Sequence, residues 1–210
     1  GLGELIRYKD APLSVPNEVP LFLMSRVLRE SITVTLSGEG ADELFAGYGG
    51  ILRSPIDYLR ILSGDDIPGN QLKLLRKALM RMYGKTEFVD ELDHFMCVYS
   101  WVKPQELDLV FKPDSFCGAQ EYRYAENFWR RHFMKLKDLD IYNKYLYLME
   151  SVHLQGLLGR LDTTTMAASV EGRVPFTDPE VIEFVTSIPW KYKLRWNSPM
   201  YENMGNRLNV

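Results

Sequence analysis

The sequence predicts an α/β fold in which helices dominate, on three observations. A short β-branched run, "SITVTL" at residues 31–36, leads into a glycine turn and a helix start, "SGEGADELFAGY" at 37–48. That order of strand, turn and helix is the α/β construction that places ligands at the carboxyl ends of strands. After Pro55 nearly all of the chain has the spacing of amphipathic helices. With 210 residues, 46% of them apolar, the chain can bury a real core and falls in the range of one large or two small domains.

Taken in order, residues 19–29, "VPLFLMSRVLR", predict a helix entered through Pro20, with Leu21, Met24 and Leu28 on one face. The run 31–36 is short and mostly apolar, which predicts a strand covered on both faces in a parallel sheet. It is the one clear strand pattern. A single parallel strand leaves its backbone groups without neighbours, so further strands are expected outside these residues and the chain reads as incomplete at its start. Helices are predicted over 71–82, 87–102, 121–137 and 139–158, with Phe88, Leu92, Phe95, Tyr99 and Val102 in register on the second. "SGDDIPGN" at 63–70 and "KPDSFCGA" at 112–119 are loops. No repeat or low-complexity tract occurs, and the tail from Asn197 has no readable pattern.

Several function classes are excluded on composition. A formal net charge of −3 gives no footprint for nucleic acid. The most basic stretch, residues 122–137, interleaves aromatics with Arg123, Arg130, Arg131, Lys135 and Lys137. Tyr124, Phe128 and Phe133 recur there at helical intervals, which predicts a core-facing stripe with a solvated basic back. No apolar run approaches the roughly 18 residues of a membrane span. No signal segment opens the chain, so a cytoplasmic location is expected. Cys97 and Cys117 are too few and too far apart for a disulfide framework or a Cys-x-x-Cys pair, and are expected reduced and buried. His94, His132 and His153 lack metal-ligand spacing and read as structural histidines.

Two constellations carry chemistry. In "SGEGADE", Gly38 and Gly40 let the backbone turn sharply and approach a ligand, and N–H groups at the following helix start suit a phosphate. Glu39, Asp42 and Glu43 would repel one another unless something cationic or proton-donating sits among them. Asp42 is well placed for Mg²⁺ bridging to phosphate oxygens. The same residues also fit a plain glycine turn whose solvated acids favour a helix N-terminus. The second constellation is "GRLDTTTMAASVEGRVPFTD", residues 159–178. A helix carrying Arg160, Asp162 and Met166 is expected to run into Glu171, Gly172 and Arg173 and to stop before Pro175. Glu171 and Arg173 then mark either a site or an ion-paired helix end. No phosphate loop of the Gly-x-x-x-x-Gly-Lys-Ser/Thr kind and no Gly-x-Ser-x-Gly elbow occurs.

Together, "LSGEGADELFAGY" and "RLDTTTMAASVEGRVPFTD" resemble the synthetase domain of glutamine-dependent asparagine synthetases. The resemblance covers roughly residues 10–195, the middle of which is similar only in being helical. It implies a Rossmann-like ATP-pyrophosphatase fold, here mostly helical with few parallel strands. It implies a reaction in which MgATP adenylates the side-chain carboxylate of aspartate and releases pyrophosphate. Ammonia from a separate N-terminal glutaminase domain then displaces AMP to give asparagine. The cofactors implied are ATP and Mg²⁺, and a homodimer is the implied assembly. By the same resemblance Ser37 and Gly38 lie against the AMP portion, Asp42 holds Mg²⁺ and pyrophosphate, and Glu39 works on the incoming ammonium. Gly40, Glu43 and Tyr48 match the motif and support it, while Glu171 and Arg173 border the pocket.

Three family features are missing from these residues: the Ser-Gly-Gly-x-Asp-Ser pyrophosphate loop, the glutaminase domain with its nucleophilic cysteine, and the lysine segment after the Glu-x-Arg motif. The chain therefore reads as the C-terminal part of a larger synthetase, inactive by itself. Two other readings compete: a β-lactam synthetase-like enzyme that adenylates another carboxylate, and a helical interaction module without catalysis.

Overall fold

The computed structural model describes residues 2–62, 69–100, 106 and 119–194. The chain forms two units, the first from Gly1–Gly47 and Met149–Pro189, the second from Tyr48–Leu148 and Trp190–Val210.

The first unit contains helices α1 (Leu2–Lys9) and α2 (Glu18–Leu28), strand β1 (Val34–Leu36) and the short helix α3 (Ala41–Phe45). A second pass of the chain adds a π-helical turn (Met149–His153), a helix over Leu154–Met166, strand β2 (Glu171–Arg173), a 3₁₀ turn (Pro175–Thr177) and a helix over Pro179–Ser187. Helix α2 begins within one residue of its predicted start, its buried Phe22 joining Leu5 and Ala168 in the core. The loop between α1 and α2 is closed by Glu18. Its buried carboxylate accepts hydrogen bonds from Lys9 Nζ at 2.8 Å and from the backbone N–H of Ser14 at 2.7 Å.

Strands β1 and β2 are parallel neighbours in the register Val34↔Glu171, Thr35↔Gly172, Leu36↔Arg173. Side chains alternate across a strand, so Thr35 and Gly172 share one face while Val34, Leu36, Glu171 and Arg173 share the other. A Cβ added at Gly172 would meet Thr165 Oγ1 at 3.2 Å and Leu161 Cγ at 3.4 Å, so the helix over Leu154–Met166 lies on the first face. The other face is open, with Leu36 70% exposed. The expected strand covered on both faces is corrected accordingly: among the described residues it is half-covered.

Two boundaries differ from expectation in the second pass. The predicted continuous helix over 139–158 is interrupted by the π-helical turn. The helix expected to run into Glu171 ends at Met166, and Ser169, with φ 58°, turns the chain into β2. Glu171 and Arg173 therefore stand on a strand rather than at a helix end. Being two apart on a strand, they point to the same side.

The second unit is helical: α4 (Gly49–Arg53), α5 (Pro55–Leu62), α6 (Gly69–Tyr83), α7 (Glu91–Tyr99), α8 (Ala119–Met134) and α9 (Ile141–Leu148), with a last helix over Trp190–Lys193. Helix α7 starts later than predicted because Asp90 caps it, its side chain accepting from the N–H of Asp93 at 2.8 Å. Phe95 of α7 packs on Tyr145 of α9 and Trp129 of α8, with ring centroids 4.9 and 5.3 Å away. The stripe predicted for α8 is out of phase. Trp129 is its buried anchor, whereas Tyr124 and Phe128 are exposed at 68% and 39% among the described residues. Cys97 is buried and in no disulfide among the described residues, as expected, whereas Cys117, Val102 and most of both predicted loops lie outside the described residues. No helix among the described residues is long and apolar enough to cross a membrane.

With the helices in order, α10 is Leu154–Met166, α11 is Pro179–Ser187 and α12 is Trp190–Lys193.

Candidate functional site

At the carboxyl ends of β1 and β2 the two sequence constellations meet. The N–H of Ser37 donates to the carbonyl of Arg173 at 2.8 Å, extending the ladder by one bond, and Ser37 Oγ accepts from the N–H of Glu39 at 3.3 Å. Gly38 is exposed, and a Cβ there would touch nothing within 4 Å, so its backbone is open to a ligand. Gly40 is buried at φ +96°, a conformation that side-chain-bearing residues rarely adopt. A Cβ at Gly40 would lie 3.2 Å from Thr177 Cγ2 and 3.4 Å from Phe176 Cβ. The "VPFTD" end of the second constellation thus backs the turn of the first, and Phe176 also meets Phe45 of α3 edge-on at 6.2 Å.

The three acids that would repel one another are sorted by the fold. Glu39 is half-buried, and its Oε1 accepts a hydrogen bond from Arg160 Nη2 of α10 at 2.7 Å. Glu43 is buried, with His153 Nε2 at 3.9 Å from its Oε1. Burial lowers the pKa of His153; Arg160 acts in the same direction, and Glu43 and Glu39 oppose it. Asp42 is exposed, and its carboxylate makes no hydrogen bond or ion pair among the described residues. It lies instead against the backbone of Gly47, where an added Cβ would come within 2.6 Å of Asp42 Cγ. Part of the positive charge that the acid cluster demands is thus supplied by the protein.

Arg160, His153 and Gly47 are the residues that sequence reasoning passed over. Arg160 was legible as a cation on a helix but not as the partner of an acid 121 residues away. His153, read as structural, borders the acid loop. Of the remaining predicted residues, Glu171 and Arg173 are exposed on β2 and paired with each other at 2.8 Å. Tyr48 is half-buried ahead of α4, its carbonyl accepting from the N–H of Leu52 at 2.8 Å, and belongs to the helical unit.

No cluster of three or more His, Cys, Asp or Glu able to hold a metal occurs among the described residues. An unengaged carboxylate such as Asp42 fits Mg²⁺, which takes one or two protein carboxylates and completes its shell with phosphate oxygens and water. A closed all-protein metal cage does not fit.

The family model described as Asparagine synthase matches residues 2–198. A putative glutamine-hydrolyzing asparagine synthetase of Mycobacterium tuberculosis is 31% identical over an alignment of 217 positions that covers 95% of this chain and 31% of that protein. The glutamine-hydrolyzing asparagine synthetases 1 and 3 of Bacillus subtilis are 28% and 26% identical, over 95% and 93% of this chain and 32% and 27% of their own lengths. The chain therefore spans about a third of the length of these curated relatives. No solved structure matches it.

Proposed function

The chain belongs to the asparagine synthase family, and on that premise we propose that it is the C-terminal part of an ATP-dependent amide-forming ligase. In the proposed reaction the side-chain carboxylate of aspartate is adenylated, pyrophosphate leaves, and ammonia supplied by a glutaminase domain displaces AMP to give asparagine. The observation that carries this reading is the meeting of the two motifs at the carboxyl ends of a parallel strand pair, where α/β sheets bind ligands. The Rossmann-like ATP-pyrophosphatase fold is proposed on the same ground, with its remaining strands in the part of the relatives that this chain does not span.

Each residue then has a task that its surroundings allow. Gly38, with open space beside its backbone, and Ser37, at the end of β1, lie along the AMP portion. Asp42 would hold Mg²⁺, which supplies charge stabilisation to the departing pyrophosphate. A carboxylate is a poor electrophile, and the anhydride with AMP turns one of its oxygens into a good leaving group. Glu39 takes a proton from incoming ammonium, since nitrogen needs a free lone pair to attack. Gly40 and Phe176 fix the turn, and Glu43 anchors α3 from beneath. Glu171 and Arg173 border the pocket on the open face of β2.

The test is pyrophosphate release from MgATP by the full-length protein, with and without aspartate, using ammonium as nitrogen donor. Release that requires aspartate and matches AMP and asparagine supports the reading. Release that requires another carboxylate keeps the chemistry and changes the substrate to that of a β-lactam synthetase-like enzyme. No release with any carboxylate leaves the non-catalytic module.

A further inference from the structure

Glu39 is held by one side chain. It sits between Gly38 and Gly40, two residues that restrain the backbone least. Arg160 bonds Glu39 Oε1 and leaves Oε2 without a partner among the described residues. Both side chains are mostly withdrawn from water, at 15% and 22% exposure, so the pair is screened less than a surface pair and fixes a direction as well as a charge. Arg160 itself is set by α10, which packs against α1, α2 and β2 and is therefore part of the frame rather than of a loop. The Nε–H of Arg160 is buried with no hydrogen-bond partner among the described residues, so the guanidinium is committed to Glu39 through its terminal nitrogen alone.

We propose that Arg160 is a positioning residue for amide formation, aiming the free Oε2 of Glu39 at ammonium. This rests on the assignment of Glu39 made above. In the step it serves, ammonium gives one proton to Glu39 and the freed lone pair forms the C–N bond. The C–O bond to AMP breaks with its electron pair leaving on the phosphate, and the amide nitrogen loses its second surplus proton to water. Adenylation needs neither Glu39 nor its orientation. Removing Arg160 therefore uncouples the two half-reactions, and the adenylate that forms is lost to hydrolysis.

The experiment compares full-length wild type, Arg160→Gln and Arg160→Lys at saturating aspartate, MgATP and ammonium, measuring asparagine formed per pyrophosphate released. A displacement of the carboxylate by about 1 Å costs on the order of a hundredfold in a positioned step. The asparagine yield per pyrophosphate should therefore fall at least ~10-fold in Arg160→Gln while pyrophosphate release changes by less than ~3-fold, and Arg160→Lys should recover most of the yield. An unchanged yield, or both products falling in parallel with no recovery by lysine, overturns the proposal, because a merely structural pair moves both steps together. Urea denaturation of Glu39→Gln, Arg160→Gln and the double variant supplies a readout independent of turnover. Additive losses there show that the pair is not formed and overturn the proposal. Wild type that releases no aspartate-dependent pyrophosphate refutes the parent reading instead, whatever the denaturation cycle shows about the pair.

Discussion

Gly47→Ala should disable the acid loop without unfolding the unit that carries it. The N–H of Gly47 donates to the carbonyl of Asp42 at 2.9 Å and closes the chain over the end of α3, while Ala46 before it is already at φ 63°. A Cβ on Gly47 would sit 2.6 Å from Asp42 Cγ and 3.0 Å from Asp42 Cβ. Carbon atoms in contact prefer about 3.5–4.0 Å, so the carboxylate has to withdraw by roughly 1 Å. Asp42 is exposed and free to rotate, which keeps the stability cost at the low end of overpacking, about 1 kcal/mol. A shift of that size in a positioned group costs on the order of a hundredfold in rate. The assay is pyrophosphate release by the full-length protein across a Mg²⁺ titration, alongside a thermal melt. Gly50→Ala serves as control, since a Cβ there meets nothing within 4 Å and its rate should be that of wild type. Wild-type release by Gly47→Ala, with the same Mg²⁺ dependence, would show that the reaction does not use the carboxylate where this loop holds it.

Asp42→Asn keeps the shape and removes the charge; pyrophosphate release should vanish with the melt unchanged, and turnover like wild type would remove Asp42 from the metal. Asp90→Ala deletes the cap of α7 and should cost about 1 kcal/mol, lowering the melting temperature by about 2–4 °C; an unchanged melt would mean that the cap bond contributes nothing. The buried His94 and Asp57 make stability depend on pH in opposite directions. Burial holds the His94 pKa at about 3, so its share of stability is lost as pH falls below ~6.5, by up to about 5 kcal/mol; burial lifts Asp57 to about 6, so protonation of the folded chain returns about 3 kcal/mol between pH ~6 and ~4. The two offset each other over that window, and His94→Phe should expose the Asp57 gain as a rise in urea stability on acidification from pH 6 to 4, which a steady decline would contradict.

What the sequence disclosed was mostly local. Strand β1, the glycine turn and the helices announced themselves through β-branched runs, turn residues and apolar spacing, each a matter of neighbours within a few positions. Strand β2 could not be read this way. "EGR" has no strand composition, and it is a strand because β1 offers it a row of hydrogen-bond partners, among them Thr33 O for the N–H of Glu171 at 2.8 Å. The π-helical turn left no mark on periodicity long enough to notice, yet it stands at the start of the segment that brings His153 beside Glu43. On α8 the aromatic spacing was right and the phase wrong, because Trp129 lies one position from Phe128 and either could have been the buried one. The candidate site was half legible: the residues in the two motifs were found, while the contacts between them belong to long-range packing.

The arrangement of charge decides how much weight the acid cluster can bear. Three carboxylates close in sequence suggest an ion or nucleotide to relieve them, but here the Arg160 guanidinium already answers Glu39, and buried Glu43 has the His153 imidazole 3.9 Å away. Both contacts come from the second pass of the chain. The case for a ligand therefore narrows to Asp42, which is exposed, unengaged and lies in the space that the missing side chain of Gly47 leaves open. Two acids have a basic side chain beside them within the fold, and one is left over. A pure helix-capping cluster would not need such a division, because all three acids could face water at the helix start. A site that must present one carboxylate to a metal while keeping another turned toward a different reacting atom would need it.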